Sequence, residues 1–196
     1  MQVNWTRISD AVTFYTTLGF EYVETPVYVD NDTAMITCPR DNAIVHTSHK
    51  RVQSNNRVID QSLVGSAEQG FLQLAKHGNL PNVNYVSAGP CFREEPVYDE
   101  LHHSQFFKVE LFVRCKSNEE AAFGVQEVIS RAWRFMQEQT DDPIKLVDEG
   151  HGWDLQLNGI EVGSYGYRYH DQIGWWIYGT GIAEPRFTQA MNKQVN

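Results

Sequence analysis

Tyr85-Val-Ser-Ala-Gly-Pro-Cys-Phe92 and Gln105-Phe-Phe-Lys-Val-Glu-Leu-Phe-Val-Arg114 are two apolar, aromatic runs divided by a stretch containing Glu94-Glu95-Pro96 and Asp99-Glu100-Leu101-His102-His103. Runs of this composition, bounded by turn residues, read as the arms of one long antiparallel hairpin. The returning arm carries Phe106, Lys108 and Glu110. Arg93 stands where the first arm meets the loop.

Working outward, Ser117-Asn-Glu-Glu120 is a capping box ahead of a helical pattern through Phe123, Val128, Ala132 and Phe135. Ser66 caps a second helix within 65–76. Trp5, Ile8, Val12, Tyr15 and Leu18 predict an amphipathic helix stopped at Gly19. Phe20 to Val29 reads as a strand that Pro26 confines to an edge or an interface. Short strands are expected around 34–38 and 43–47, then a polar loop. Trp153 to Arg168 predicts two strands turning at Asn158-Gly159, the strongest short hairpin signal. Trp175 to Tyr178 gives another strand, and Gly179-Thr-Gly181 a turn into a C-terminal helix. The expected class is α+β, an antiparallel sheet flanked by helices.

The chain has 196 residues, 41% hydrophobic and 12% aromatic, which suits one core spanning 1–196. A formal charge of −9 opposes a broad phosphate-neutralising surface. Cys38, Cys91 and Cys115 form neither a disulfide framework nor a zinc ribbon, and a cytoplasmic setting is expected. No stretch is long and apolar enough to span a membrane, and no secretory signal pattern opens the chain. His46-x-x-His49 lacks a neighbouring third zinc ligand.

Three segments, in order, resemble the signature motifs of class II aminoacyl-tRNA synthetases. Gly19 to Pro26 is similar to the helix-strand element through which that class dimerises, so the resemblance implies a homodimer built on residues 5–26. Phe92-Arg-Glu-Glu95, with Asp99, His102, Phe106 and Glu110, resembles the second motif. Trp153 to Arg168 resembles the Asp-Leu-x-Leu-Asn-Gly-x-Glu stretch of aspartyl, asparaginyl and lysyl synthetases. Its end, Glu161-x-x-Ser164-x-Gly-x-Arg168, is also similar to ammonia-dependent asparagine synthetase. Gly179-Thr-Gly-Ile-Ala-Glu-Pro-Arg186 resembles the third motif, with seryl-like departures at Ala183 and Pro185.

The resemblance implies a synthetase or biotin-ligase-like core that activates an amino acid with ATP as an aminoacyl-adenylate. Arg93 and Arg186 would be catalytic, neutralising phosphate charge. Glu95, Phe106, Lys108 and Glu161 would hold ATP, with Phe106 stacking the adenine. Asp154, Glu161 and Ser164 would hold Mg²⁺. Ser66, Glu68 and Arg168 would bind the amino acid, Glu68 at its ammonium and Arg168 at a side-chain carboxylate. No nucleophilic side chain is required.

The acceptor is expected to be ammonia, an amine, a carrier protein or a protein lysine, because the motifs fill the chain and no anticodon-recognising module is seen. A minimal synthetase charging tRNA and a non-catalytic paralogue stay open as alternatives. A basic patch for tRNA would have to come from Arg40, Lys50, Arg51 and Arg57.

Overall fold

The computed structural model describes residues 2–37, 48–52, 58–81, 83–93, 98–99 and 101–193, without the side chains of 48–52 and 58–60. The hairpin expected from the sequence is its spine. Strands β5 (Asn84–Phe92) and β6 (Gln105–Cys115) pair antiparallel, Phe92 opposite Gln105 and Asn84 opposite Val113. They sit in a seven-stranded sheet with β1 (Glu21–Tyr22), β7 (Ile144–Asp148), β8 (Trp153–Leu157), β9 (Ile160–His170) and β10 (Gly174–Glu184). The order is β1-β5-β6-β10-β9-β8-β7, antiparallel except at the short β1–β5 pair. Strands β2 (Tyr28–Asp30), β3 (Ser48–Val52) and β4 (Val58–Leu63) form a separate small sheet in the order β2-β4-β3.

One face of the large sheet is covered by α1 (Trp5–Thr17) and α4 (Asn118–Gln137), with α5 (Arg186–Asn192) at its end. Val109 and Leu111 of β6, Leu155 of β8, Tyr165 of β9 and Ile177 of β10 join Tyr15, Val125, Ala132 and Phe135 in that core. On the other face α3 (Ala67–Lys76) packs Phe71 against Phe112, rings stacked at 5.0 Å, with Trp176 beyond. The rest of this second face is left for the cleft.

The local signals act as chemistry requires. Ser117 Oγ accepts the Glu120 amide at 3.2 Å, and the Glu120 carboxylate accepts the Lys116 amide at 2.6 Å. Ser66 caps α3 through the Glu68 amide. Asn158 and Gly159 both have positive φ, the backbone a two-residue hairpin turn demands.

Several expectations are corrected. Residues 34–38 were expected in a strand, but α2 (Asn31–Thr37) is a helix, tied to α3 by Lys76 on Asp32 at 2.7 Å. The strand expected over 43–47 lies outside the described residues, and the polar loop after it contains β3 and the start of β4. Pro26 divides the expected 20–29 strand, leaving β1 at a sheet edge and β2 in the small sheet. Phe123, placed on the apolar stripe of α4, is 82% exposed. The Gly179-Thr-Gly181 segment is no turn: β10 runs through it to Glu184, and α5 begins at Arg186. A Cβ on Gly179 or Gly181 would stand 2.7 Å from the Tyr165 or Tyr15 ring. These glycines therefore make room on the helix-covered face, not for a nucleotide.

Candidate active site

Two bulges decide which side chains meet in the cleft. Residues three apart on a regular strand, such as Glu161 and Ser164, point to opposite faces. In β9 the register slips, so that Asp154 opposes Ser164 while Gln156 opposes Glu161. The extra residue turns Glu161 onto the face of Ser164 and Asp154. In β10 a second slip after Thr180, opposite Glu110, moves Ala183 opposite Lys108.

The cleft has two halves that share Arg93 and Lys108. The first is lined by Phe106, Glu161, Thr180, Ala183 and Arg186, with His103 and Leu101 at its rim. Arg93 lies 5.0 Å over the Phe106 ring and donates from Nε to the Gly65 carbonyl at 3.2 Å. Arg186 stands 3.6 Å from the Glu161 carboxylate and donates to the Leu101 carbonyl at 3.3 Å. Two guanidinium groups and an aromatic ring thus border one space, the equipment for a polyanion carrying a flat base.

The second half has a volume of about 220 Å³ and is lined by Ser66, Glu68, Glu110, Asp154, Ser164, Arg168 and Tyr178, with Glu149 and His151 at its side. Glu68 is buried and accepts from Arg168 at 2.7 Å and from the Trp176 indole at 2.8 Å. Burial pushes its carboxyl up, and the neighbouring Arg168 guanidinium and Trp176 N–H offset this in part. Glu110 is equally buried. Burial raises it too, but the Lys108 ammonium at 2.7 Å, the Ser66 hydroxyl at 2.6 Å and the Ala67 amide together hold it below the usual range. Asp154 is raised by burial first, then by the charge of Glu161, against a lowering hydrogen bond from Ser164. Arg168 also stacks 4.2 Å over the Tyr178 ring.

Of the residues expected from the sequence, Arg93, Arg186, Phe106, Lys108 and Glu161 line the first half. Ser66, Glu68, Asp154, Ser164 and Arg168 line the second. Glu95 lies outside the described residues, as do His46, Arg40 and Arg57 and the side chains of His49, Lys50 and Arg51. Glu68 and Arg168, expected to grip opposite ends of a substrate, grip each other. Sequence reasoning placed Glu110 in the second motif but gave it no role in the site, although its place two residues after Lys108 puts it on the same face. It also left out Glu149, His151 and Tyr178, which carry no spacing signal. Cys91 is buried and its thiol is pushed up to about 12, which suits packing and not nucleophilic work.

Among the described residues no group of three or more His, Cys, Asp and Glu side chains gathers as a metal site. Magnesium asks for less, one or two carboxylates completed by phosphate oxygens and water. Asp154 and Glu161, close enough that one raises the other, fit that requirement.

No protein-family model matches this chain, and no curated protein does. Solved structures do. The cytoplasmic serine-tRNA ligase of Naegleria fowleri in complex with AMP superposes with a TM-score of 0.71 at 15% identity, over 97% of this chain and 49% of that one. The pyrrolysyl-tRNA synthetase of Desulfitobacterium hafniense gives 0.71 at 13%, over 100% of this chain and 72% of that one. The seryl-tRNA synthetase of Pyrococcus horikoshii complexed with ATP gives 0.68 at 20%, over 93% and 48%. This chain thus spans about half the length of the two serine enzymes. These neighbours are seryl and pyrrolysyl enzymes, whereas the Trp153 to Arg168 stretch resembles the aspartyl, asparaginyl and lysyl branch. At such identities the likeness shows the fold, and that fold is the class II synthetase core, a largely antiparallel sheet flanked by helices.

Proposed function

We propose that this chain activates an amino acid with ATP, forming an aminoacyl-adenylate and releasing pyrophosphate. The observation that carries the reading is convergence: ten residues singled out on separate stretches, from Ser66 to Arg186, line the two halves of one cleft joined at Arg93.

In this mechanism Arg93 holds the amino-acid carboxylate beside the α-phosphate from its place between the halves. A carboxylate oxygen attacks the α-phosphorus, the new P–O bond forms, and the bond to the β-phosphate oxygen breaks in line. Charge accumulates on the phosphate oxygens, where preorganised cations contribute most. Arg93 meets it on one side and Arg186 on the other. Phe106 supplies a stacking face for the adenine, and Glu95 an acceptor for its amino group. Asp154, Glu161 and Ser164 would hold Mg²⁺, which would supply positive charge against the phosphates. Positioning replaces covalent catalysis, so no side-chain nucleophile is assigned.

The acceptor we favour is ammonia, an amine, a carrier protein or a protein lysine, supported by the formal charge of −9, which opposes a polyanion. A two-fold dimer through residues 5–26 completes the reading. Trp5 and Tyr22 there are 58% and 43% exposed, and β1 is a sheet edge, surfaces that a partner copy would cover. Sedimentation of the chain as a monomer alone at micromolar concentration would remove the dimer.

The test of activity is ATP–pyrophosphate exchange over the twenty amino acids. Arg93→Ala is expected to lower it by about 10²- to 10³-fold. Undiminished exchange in that variant overturns the assignment.

A further inference from the structure

The cleft's own ion pairs limit what it can take. Lys108 is committed to Glu110 at 2.7 Å, and Arg168 to Glu68 at 2.7 Å. Glu68 is 7% exposed at its side chain and its other oxygen is taken by the Trp176 indole, so neither oxygen is idle. With those pairs set aside, the charged groups of this half are Arg93, Asp154, Glu149 and, when protonated, His151. One guanidinium and facing carboxylates match the carboxylate and ammonium of a zwitterion. Among the described lining residues no further cation is left for a second negative group.

The rest of the wall is polar. None of the described lining residues carries an aliphatic hydrocarbon side chain, and Tyr178 supplies the one phenyl ring among them, already covered by Arg168 at 4.2 Å. Burying a large apolar side chain there would strip water from charged groups without offering apolar contact in return.

We infer that the amino acid activated here has an uncharged polar side chain, a hydroxyl or a carboxamide, which hydrogen-bonds to the Glu68–Arg168–Tyr178 group. The inference rests on the adenylation reading and narrows it. It also replaces the expectation that Arg168 meets a substrate carboxylate. An acidic side chain would have to share that guanidinium with Glu68, which sets a second negative charge beside a buried carboxylate. A lysine-like ammonium would have to sit beside the Arg168 guanidinium, a like charge whose partner carboxylate is already engaged.

The experiment is ATP–pyrophosphate exchange on the full chain with serine, threonine, asparagine, glutamine, aspartate, glutamate, lysine, leucine and phenylalanine. Uncharged polar substrates are expected to lead the acidic ones by about 100-fold in kcat/KM. Exchange led by aspartate, glutamate, lysine, leucine or phenylalanine overturns this inference and leaves adenylation standing. Exchange with no amino acid at all overturns both. Glu68→Gln keeps the shape and an acceptor for Trp176 but releases Arg168, so the ratio of aspartate to serine activity should rise at least tenfold, about 1.4 kcal/mol. An unchanged ratio in a folded variant removes the role given to the pair, and the wild-type panel decides the substrate class even where that variant does not fold.

Discussion

Glu68 and Glu110 face the same cleft, one from α3 and one from β6, and both are buried with both oxygens occupied, yet they are held in opposite ways. Glu110 receives an ammonium, a hydroxyl and a backbone amide, and its carboxyl is lowered. Glu68 receives one guanidinium and one indole, and its carboxyl is raised. Lys108 is 11% exposed, whereas Arg168 is 36% exposed and shares its charge with water. The difference teaches that burial sets the cost and the donors decide the outcome. Glu110 is an anchor joining the helix start to the sheet, and Glu68 is a carboxylate with fewer donors to set against its burial.

Removing each carboxylate should break this comparison in the expected order. Glu110→Ala strands Lys108 in the wall and leaves two donors unpaired, at a cost of about 3–5 kcal/mol. Glu68→Ala leaves a guanidinium that water can still reach and one indole N–H, at about 1–3 kcal/mol. Chemical denaturation measures both. Equal losses would mean that the difference in donors has no energetic weight.

The pH dependence of the isosteric variants tests the same contrast by its sign. Because Glu110 is lowered in the fold, its contribution is present above its ordinary value, about 4.3, and is lost as pH falls through the lowered one. The deficit of Glu110→Gln relative to wild type should therefore shrink on going from pH 7 to pH 4. Glu68 is raised, so its contribution is present below the ordinary value and lost as pH rises through the raised one. The deficit of Glu68→Gln should grow over the same descent. Parallel behaviour of the two would contradict the structure.

Much of the frame was legible because it is local. Capping side chains at Ser66 and Ser117 and the Asn158-Gly159 turn each act within a few residues. Helix α2 escaped because seven residues of weak pattern are held by Lys76 and the packing of α3, which are remote in sequence. Strand β7 escaped because at this edge Lys145 and Leu146 are both exposed, so no alternation marks it. In the site, the residue types were readable and their partners were not. Glu68 and Arg168 lie one hundred positions apart, and their pairing depends on how α3 crosses the sheet. The bulges that bring Glu161 beside Ser164 and move Ala183 opposite Lys108 leave no mark in residue spacing.

Ser66 separates the two glutamates most finely, because it touches both through different atoms. Its hydroxyl donates to the Glu110 carboxylate at 2.6 Å and accepts the backbone amide of Glu68 at 3.2 Å. Ser66→Ala removes the cap and one donor, an expected loss of about 1 kcal/mol. In a double-mutant cycle with Glu110→Ala the losses should not add, since each single change already removes the shared hydrogen bond, and a coupling of about 0.5–3 kcal/mol is expected. With Glu68→Ala the losses should add, because that substitution keeps the amide that Ser66 accepts. Denaturation of the four variants in each cycle measures the two couplings. A larger coupling to Glu68 than to Glu110 would mean that Ser66 serves the helix end alone, and that the anchor at Glu110 rests on Lys108 and the Ala67 amide without it.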